Sequence, residues 1–462
     1  MKSFMQTTVM KFGGTSVEDR RAFERVAGII CAHRRARPVV VVSAMARITD
    51  ALLTVASAAE KGDHAAARQL DEHFDRHLAV AEHLGADTRG ELTAAIEDAR
   101  REVTLLLEDI AAEGAVVPQL KDLVVSYGEQ LSARLLAAVI SERGLRACYV
   151  DARRCIVTDS GYGAAAALVA ETIRNTRTEL TPVLEAGEIP VLGGFIAANR
   201  RGETTLLGRG GSDYTAALIG ISLGSREIQI WTDVDGILTA DPRVVKTSRT
   251  VSRLTYGEAA ELTFFGAKVL HPKTVQPAAE HGIPLCVRNS RSPEHSGTLV
   301  CDEAEIGSAR PVKAIAHRTG SVTIDVVSER SLASGLLRDV YEIFHRYNVN
   351  IDLVTASETG ASLTLNNNGA LPAIIRELQQ VYSVDIKENR AVVCLVGEGL
   401  RHTPEVAAEV SGMLRDIGIS PVMTGELRNK IAFVVGEERI REVVTRLHRA
   451  FFETERGHVA RP

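Results

Sequence analysis

Aromatic residues make up only 4 per cent of this 462-residue chain. That scarcity argues against the stacking platforms that hold single-stranded nucleic acid. The charge balance is equally unhelpful to a nucleic-acid reading. Lysine plus arginine total 54 and aspartate plus glutamate 59, a formal net charge of −5, so there is no basic field to attract phosphate backbones. Six cysteines (Cys31, Cys148, Cys155, Cys286, Cys301, Cys394) are scattered without a CxxC pair. They predict small buried side chains in a reducing compartment rather than a disulfide or zinc framework. No apolar run has the length needed to span a bilayer. The opening MKSFMQTTVMKFGG lacks a signal-peptide core and cleavage pattern. A cytoplasmic protein is expected, with two to four domains by length.

Several strand–turn–helix passages stand out. Thr8–Phe12 predicts a strand that runs into Gly13, Gly14, Thr15 and Ser16, followed by helical periodicity over 18–36. That geometry binds phosphate. The glycines fit neither GxGxxG nor GxxxxGK[ST], which excludes those two nucleotide motifs here. Lys11, at the strand end, is either a phosphate contact or a solvated lysine. The valine run Pro38–Val42 predicts a parallel strand buried on both faces. The turn after it carries Ser43 and Thr49, hydroxyls that either face a ligand crevice or cap the next helix. Residues 51–117 predict long amphipathic helices, with His64, His73, His77 and His83 on solvated faces rather than in a metal cluster. Glu129 follows Gly128 and is placed at the start of an apolar helix, where an acid either offsets the macrodipole or binds a substrate amine. Residues 147–150 and 189–195 predict further buried strands.

Residues 204–219 hold the most chemistry. A short run ends at Gly208, then Arg209, Gly210, Gly211, Ser212 and Asp213 lead into an Ala-rich helix. Glycines let backbone N–H groups approach an anion. Ser212 or Asp213 can cap the helix, whose N-terminus favours negative charge. Arg209 adds a planar fork of donors for a carboxylate or phosphate. Asp213 suits a metal, a substrate amine or a positioning role, and a plain helix-capping turn accounts for the string as well. Residues 227–231 predict a strand leading into Thr232-Asp233-Val234-Asp235-Gly236. This is reminiscent of a calcium loop, but the remaining ligand positions and the closing glutamate are absent, which excludes an EF-hand. Lys268, in Gly266-Ala267-Lys268, is a candidate second phosphate contact, and 284–288 predicts a strand that closes the α/β region. Residues 291–311 look like a linker. Beyond them a β-α-β-β order occurs twice at roughly 70-residue spacing, the length of a ferredoxin-like unit.

These motifs, taken together, resemble the aspartate kinases of the amino-acid kinase family. The ordered set is Lys11-Phe12-Gly13-Gly14-Thr15-Ser16-Val17, Ser43-Ala44-Met45-Ala46-Arg47-Ile48-Thr49, Gly128-Glu129-Gln130-Leu131-Ser132, Gly208-Arg209-Gly210-Gly211-Ser212-Asp213, Trp231-Thr232-Asp233-Val234-Asp235-Gly236 and Phe265-Gly266-Ala267-Lys268-Val269-Leu270-His271-Pro272. The duplicated C-terminal region resembles the family's tandem ACT units, and the resemblance covers nearly the whole chain. It implies a three-layer αβα kinase domain with a mostly parallel sheet over 1–290, a linker over 291–311, and ACT units over 312–386 and 387–462, the leading strand of the first able to belong to the second. It implies MgATP-dependent phosphorylation of the β-carboxylate of L-aspartate. By the same resemblance Lys11, Gly13 and Gly14 contact the transferring phosphoryl group, and Asp213 and Ser212 sit at the reacting centre. Ser43, Thr49, Glu129 and Arg209 hold aspartate, with Glu129 on the ammonium and Arg209 on a carboxylate. Thr232, Asp233, Arg243 and Lys268 belong to the nucleotide side, where Leu238 replaces a tyrosine of some relatives. An amino-acid effector, lysine or threonine, is implied at Ser334, Gly335, Leu336, Leu337, Asn350 and Asp352. A homodimer or dimer of dimers through the ACT units is implied too. The chain ends at Pro462, so a fused homoserine dehydrogenase is not expected.

Overall fold

The computed structural model describes residues 6–115, 117–267, 269–302, 311–328, 335–417 and 429–454. The chain forms two compact units. One holds Met1–Ile237, Ser252–Tyr256 and Val269–Ile306, and the other Leu238–Val251, Gly257–Lys268 and Gly307–Pro462.

The first unit begins with β1 (Thr8–Phe12), α1 (Arg20–Ala32), β2 (Pro38–Val42) and α2 (Ile48–Ala59). The helices α3 (Asp71–Ala81), α4 (Ala86–Glu113) and α5 (Pro118–Glu142) come next. After them run β3 (Ala147–Tyr149), α6 (Ala152–Cys155), β4 (Val157–Thr158), α7 (Val169–Glu185), β5 (Ile189–Gly193), β6 (Ile196–Asn199) and β7 (Thr204–Leu206). Then come α8 (Gly211–Leu223), β8 (Glu227–Thr232) and β9 (Arg253–Thr255). The helix α9 (Tyr256–Phe264) belongs, past its first residue, to the second unit. The first unit closes with α10 (Pro272–Glu280), β10 (Leu285–Asn289) and β11 (Thr298–Cys301).

Its main sheet has the order β3-β5-β2-β1-β8-β10-β11-β9. Every pairing is parallel except β10 with β11. The valines of β2 are all buried, as a strand covered on both faces requires. Helices α1 to α5 pack on one another with α5 against β2, β3 and β5, while α7, α8 and α10 pack together with α8 against β1 and β8. The result is a three-layer αβα sandwich. Phe12 of β1 stands opposite Trp231 of β8, and their rings stack at 5.9 Å. A smaller sheet, β4-β6-β7, supports the chain entering Gly208.

Three readings change here. Helix α5 is long and apolar enough by composition to cross a membrane, but most of it is buried in this unit, so its apolarity belongs to a core. His77 is not on a solvated face. It is 1% exposed, its Nδ1 meets the His73 carbonyl at 2.8 Å, and burial lowers its pKa to about 4. Residues 298–301, inside the expected linker, form β11 and pair with β10 and β9.

The second unit contains β12 (Ala314–Val327), α11 (Leu336–Arg346), β13 (Leu353–Ala356), β14 (Gly360–Asn366), α12 (Leu371–Leu378), β15 (Ser383–Val396), α13 (Pro404–Leu414), β16 (Lys430–Gly436) and α14 (Ile440–His448). One sheet, β13-β14-β12-β15-β16, joins two cores. Val322, Ile324 and Val326 at the end of β12 pack with Val340, Phe344, Leu363 and Ile374. Ile315 at its start packs instead with Val393, Leu395, Val410, Phe433 and Leu447. A single 14-residue strand therefore serves both repeats. The strand expected near 420–424 lies outside the described residues.

Residues 238–251 and 257–268 were expected in the kinase domain, yet they group with this second unit. Ala240 and Val245 lie in its second hydrophobic core. Thr239 Oγ1 meets His448 Nε2 at 2.9 Å, and the fully buried carboxylate of Glu258 accepts from Lys313 Nζ at 3.1 Å and from the Glu398 N–H at 2.7 Å. Burial of those side chains decides membership more strongly than position along the chain does.

Candidate active site

In an open α/β sheet, ligands lie beyond the carboxyl ends of the strands where the strand order reverses. Here that place is between β1 and β8. Backbone hydrogen bonds knit the strand ends together. Gly13 N–H donates to the Trp231 carbonyl at 3.1 Å, Ser43 N–H to Phe12 at 3.0 Å, Ala46 N–H to Gly14 at 3.1 Å and Gly194 N–H to Val42 at 2.8 Å. The loops after β1, β2, β5 and β8 are thus held as one surface.

Helix α8 enters that surface at its N-terminus. Gly210, in the left-handed conformation, is its N-cap, and no side chain caps it. Ser212 and Asp213 therefore do not cap the helix as the sequence suggested. They are in its first turn, where the Gly211 N–H donates to the Gly208 carbonyl at 2.9 Å and the N–H groups of Ser212 and Asp213 remain for another acceptor. Gly194 makes the approach possible: a Cβ on it would lie 2.6 Å from the Cβ of Ser212. Asp213 Oδ1 stands 2.6 Å from Lys11 Nζ, and the two side chains are only 15% and 11% exposed. Beyond Lys11 that oxygen meets no further donor among the described residues. The ion pair joins the end of β1 to the start of α8, across the Gly13–Gly14 turn. Arg209 is exposed on the loop before it.

Glu129 is not at a helix start. It lies mid-way along α5 and is 2% exposed, so offsetting a macrodipole does not explain it. Burial raises its pKa to about 8, opposed by a backbone hydrogen bond at Ala44, and Oε2 has no hydrogen-bond partner among the described residues. Gly128 and Gly193 let the helix close on the strand ends at Ala44 and on β5. Ser43 follows β2 directly, and Thr49 is the second residue of α2, whose N-cap is Arg47 with no side-chain cap bond. Neither hydroxyl caps the helix. Arg47 holds φ = 71°, an uncommon conformation for a non-glycine residue that often marks a functional turn.

On the β8 side, Thr232 Oγ1 donates to Asp233 Oδ1 at 3.2 Å. Two residues that the motif search missed stand next to them. Ser290 donates its N–H at 2.8 Å and its hydroxyl at 3.0 Å to the Thr232 carbonyl, and its Oγ lies 2.8 Å from Ser16 Oγ. Asn289 Nδ2 donates to Asp235 Oδ1 at 2.7 Å. An amide at the end of a parallel strand and a hydroxyl just past it were the available signal. Of the other nucleotide-side candidates, Arg243 belongs to the second unit and forms a bidentate pair with Asp241, with Nη2 to Oδ2 at 2.6 Å. Lys268 lies outside the described residues. Among the described residues no group of three His, Cys, Asp or Glu could hold a metal ion.

The candidate effector residues lie in the second unit. Gly335 precedes α11, and Ser334 lies outside the described residues. Leu336 is 3% exposed within the first core and Leu337 38% exposed, so the two neighbours face opposite environments. Asn350 is exposed. Asp352 is no surface acid: its side chain is 6% exposed and forms an ion pair with Arg318. Burial raises its pKa while Arg318 opposes the rise.

Known proteins share this arrangement. The model of the amino acid kinase family matches residues 6–289, and an ACT domain model matches residues 393–451. The lysine-sensitive aspartokinase 3 of Escherichia coli is 36% identical over 459 residues, covering 97% of this chain and 100% of that protein. A crystal structure of E. coli aspartokinase III with aspartate and ADP (R-state) superposes with a TM-score of 0.84 at 34% identity, covering 96% of this chain and 100% of that one. A second, with lysine and aspartate (T-state), gives 0.79 at 35% identity over 97% and 100%. With both the sequence and the fold matched from end to end, the chain belongs to the amino acid kinase family, in its aspartokinase branch, with an ACT domain near its C-terminus.

Proposed function

We propose that this enzyme transfers the γ-phosphoryl group of ATP to the β-carboxylate of L-aspartate, giving 4-phospho-L-aspartate and ADP. The observation that carries the reading is the Lys11–Asp213 pair at the start of α8, which no side chain caps, with a buried Glu129 carboxyl on α5 whose Oε2 has no partner among the described residues. A carboxylate is already ionised and nucleophilic at neutral pH, so no general base is required. Catalysis reduces to alignment and to stabilising charge on the phosphoryl oxygens. Glu129 takes the substrate ammonium, Arg209 a substrate carboxylate, and Ser43, Thr49 and Ser212 the remaining polar edges. Lys11, the Gly13–Gly14 turn and the first-turn N–H groups of α8 receive the phosphoryl group. Asp213 orients the Lys11 ammonium and removes no proton. Thr232 and Asp233 line the nucleotide side. Mg²⁺ would accompany the nucleotide and would offset the charge of its phosphates.

The E. coli relative is lysine-sensitive, and one of its structures holds lysine. We read lysine as the first candidate effector here and threonine as the second. They would act through Gly335, Leu336, Leu337, Asn350 and Asp352 of the first ACT unit, with Ser334 beside them. The ACT units supply the surface for a homodimer or a dimer of dimers, and the enzyme works in the cytoplasm. The test is ADP release coupled to NADH oxidation, run with MgATP and aspartate, then with lysine, threonine and methionine added. Aspartate-dependent ADP release is the expected result, with the acyl phosphate product converted by hydroxylamine to a hydroxamate and free phosphate. ADP release that ignores aspartate, or that answers to N-acetylglutamate or uridylate instead, would overturn the reading.

A further inference from the structure

The chemistry above leaves one buried charged residue of α5 without a role. Asp122 is 2% exposed, and a buried carboxylate is costly unless it is hydrogen-bonded. Its Oδ2 accepts two backbone N–H groups, Gly163 at 2.8 Å and Leu206 at 3.0 Å. These donors come from two separate stretches that flank the Gly208–Gly210 loop. Leu206 ends β7, which leads straight into that loop. Gly163 lies in the turn beside it. Ala165 N–H donates to the Leu206 carbonyl at 2.8 Å, and Gly208 comes so near Ala164 that a Cβ on it would lie 3.1 Å from the Ala164 Cβ. One carboxylate oxygen therefore pins both walls from which Arg209 projects.

The same helix carries Glu129. Positions 122 and 129 are seven residues apart, so they share a helix face, separated by about 10 Å of rise. Along that face α5 offers Glu129 to the strand ends and, two turns earlier, holds the base of the Arg209 loop.

We propose that Asp122 is a positioning residue for the amino-acid substrate: it sets the distance between the group that takes the ammonium and the group that takes a carboxylate. This rests on the roles given above to Glu129 and Arg209. Without the clamp Arg209 keeps its charge but loses its fixed separation from Glu129. A two-point ligand then binds more weakly, while the nucleotide, held on the β8 side, is unaffected.

Full-length Asp122→Ala, Asp122→Asn, Arg209→Ala and the Asp122→Ala/Arg209→Ala double variant test this by steady-state kinetics in both substrates. Asp122→Ala should raise KM for aspartate about tenfold or more and leave KM for ATP within about twofold. Asp122→Asn, whose carboxamide oxygen can accept both N–H groups, should stay within about threefold of the parent. In the Arg209→Ala background, Asp122→Ala should add little, because both act through one contact. Should Asp122→Ala not fold, Asp122→Ser takes its place, since a hydroxyl one bond shorter cannot reach both donors. The proposal is overturned if KM for aspartate is unchanged, if both KM values rise together, or if the two effects add fully. If Arg209→Ala alone leaves KM for aspartate unchanged, the role of Arg209 itself is wrong and the proposal falls with it.

Discussion

Glu129→Gln should make the free enzyme more stable and aspartate binding weaker. Glu129 is buried with an unpartnered oxygen, and its pKa rises from 4.5 to about 8 through burial. The sign follows from proton linkage. In the unfolded chain the acid ionises above pH 4.5, whereas in the folded one it keeps its proton until about pH 8. Its contribution to stability is therefore fully present below pH 4.5 and is lost as pH rises toward 8. At pH 7 the gap is about 2.5 units, which at about 1.36 kcal/mol per unit is a strain on the order of 3 kcal/mol. Glutamine has nearly the same shape and cannot ionise, so it escapes that strain. Urea unfolding at pH 5, 6, 7 and 8 should give curves for the two proteins that nearly meet at pH 5 and diverge steadily above it. Substrate ammonium reverses the balance, because a paired cation favours the ionised acid. Wild-type KM for aspartate should thus fall as pH rises from 6 to 8, and calorimetry in two buffers should detect proton release on binding. Equal stabilities at pH 8 would refute the reasoning, because Glu129 would then be neither strained nor held ready for a cation.

Two further outcomes follow from the ion pairs. Asp213→Asn removes the charge that orients Lys11, so kcat should drop about a hundredfold or more while KM for aspartate changes by less than about threefold. Steady-state kinetics decides this, and an unchanged kcat would sink the role. Asp352→Asn leaves Arg318 without its anionic partner in the second unit. The concentration of amino acid needed for half-inhibition should rise at least about tenfold, with a thermal midpoint lowered by the loss of a partly buried pair. Retained inhibition would remove Asp352 from the effector site.

Much of the chemistry was legible in local order. Lys11 at the end of a strand, with glycines beyond it, read either as a phosphate contact or as a solvated lysine. The Gly210–Asp213 entry into an apolar helix read either as an anion site or as a plain helix-capping turn, and local order alone did not separate the two. Even there, capping was misread. Gly210 takes the cap position itself, and Asp213 turns to Lys11, 202 positions away in sequence. Glu129 was placed at a helix start because Gly128 looked like a breaker. In the fold that glycine is packed against Ala44 inside a 25-residue helix.

The sequence by itself determined the periodicities: buried parallel strands, amphipathic helices, a repeated ACT-like pattern and the glycine turns between strand and helix. Those depend on neighbours within a few residues, and their signal is local. Tertiary structure alone decided which distant groups meet. It buried His77 and Asp122, drew residues 238–251 into the second unit's core, shared β12 between two repeats, and left one oxygen of the buried Glu129 carboxyl without a partner among the described residues. Burial and long-range hydrogen bonding set the energy of each of these, and neither is a property of any short stretch of chain.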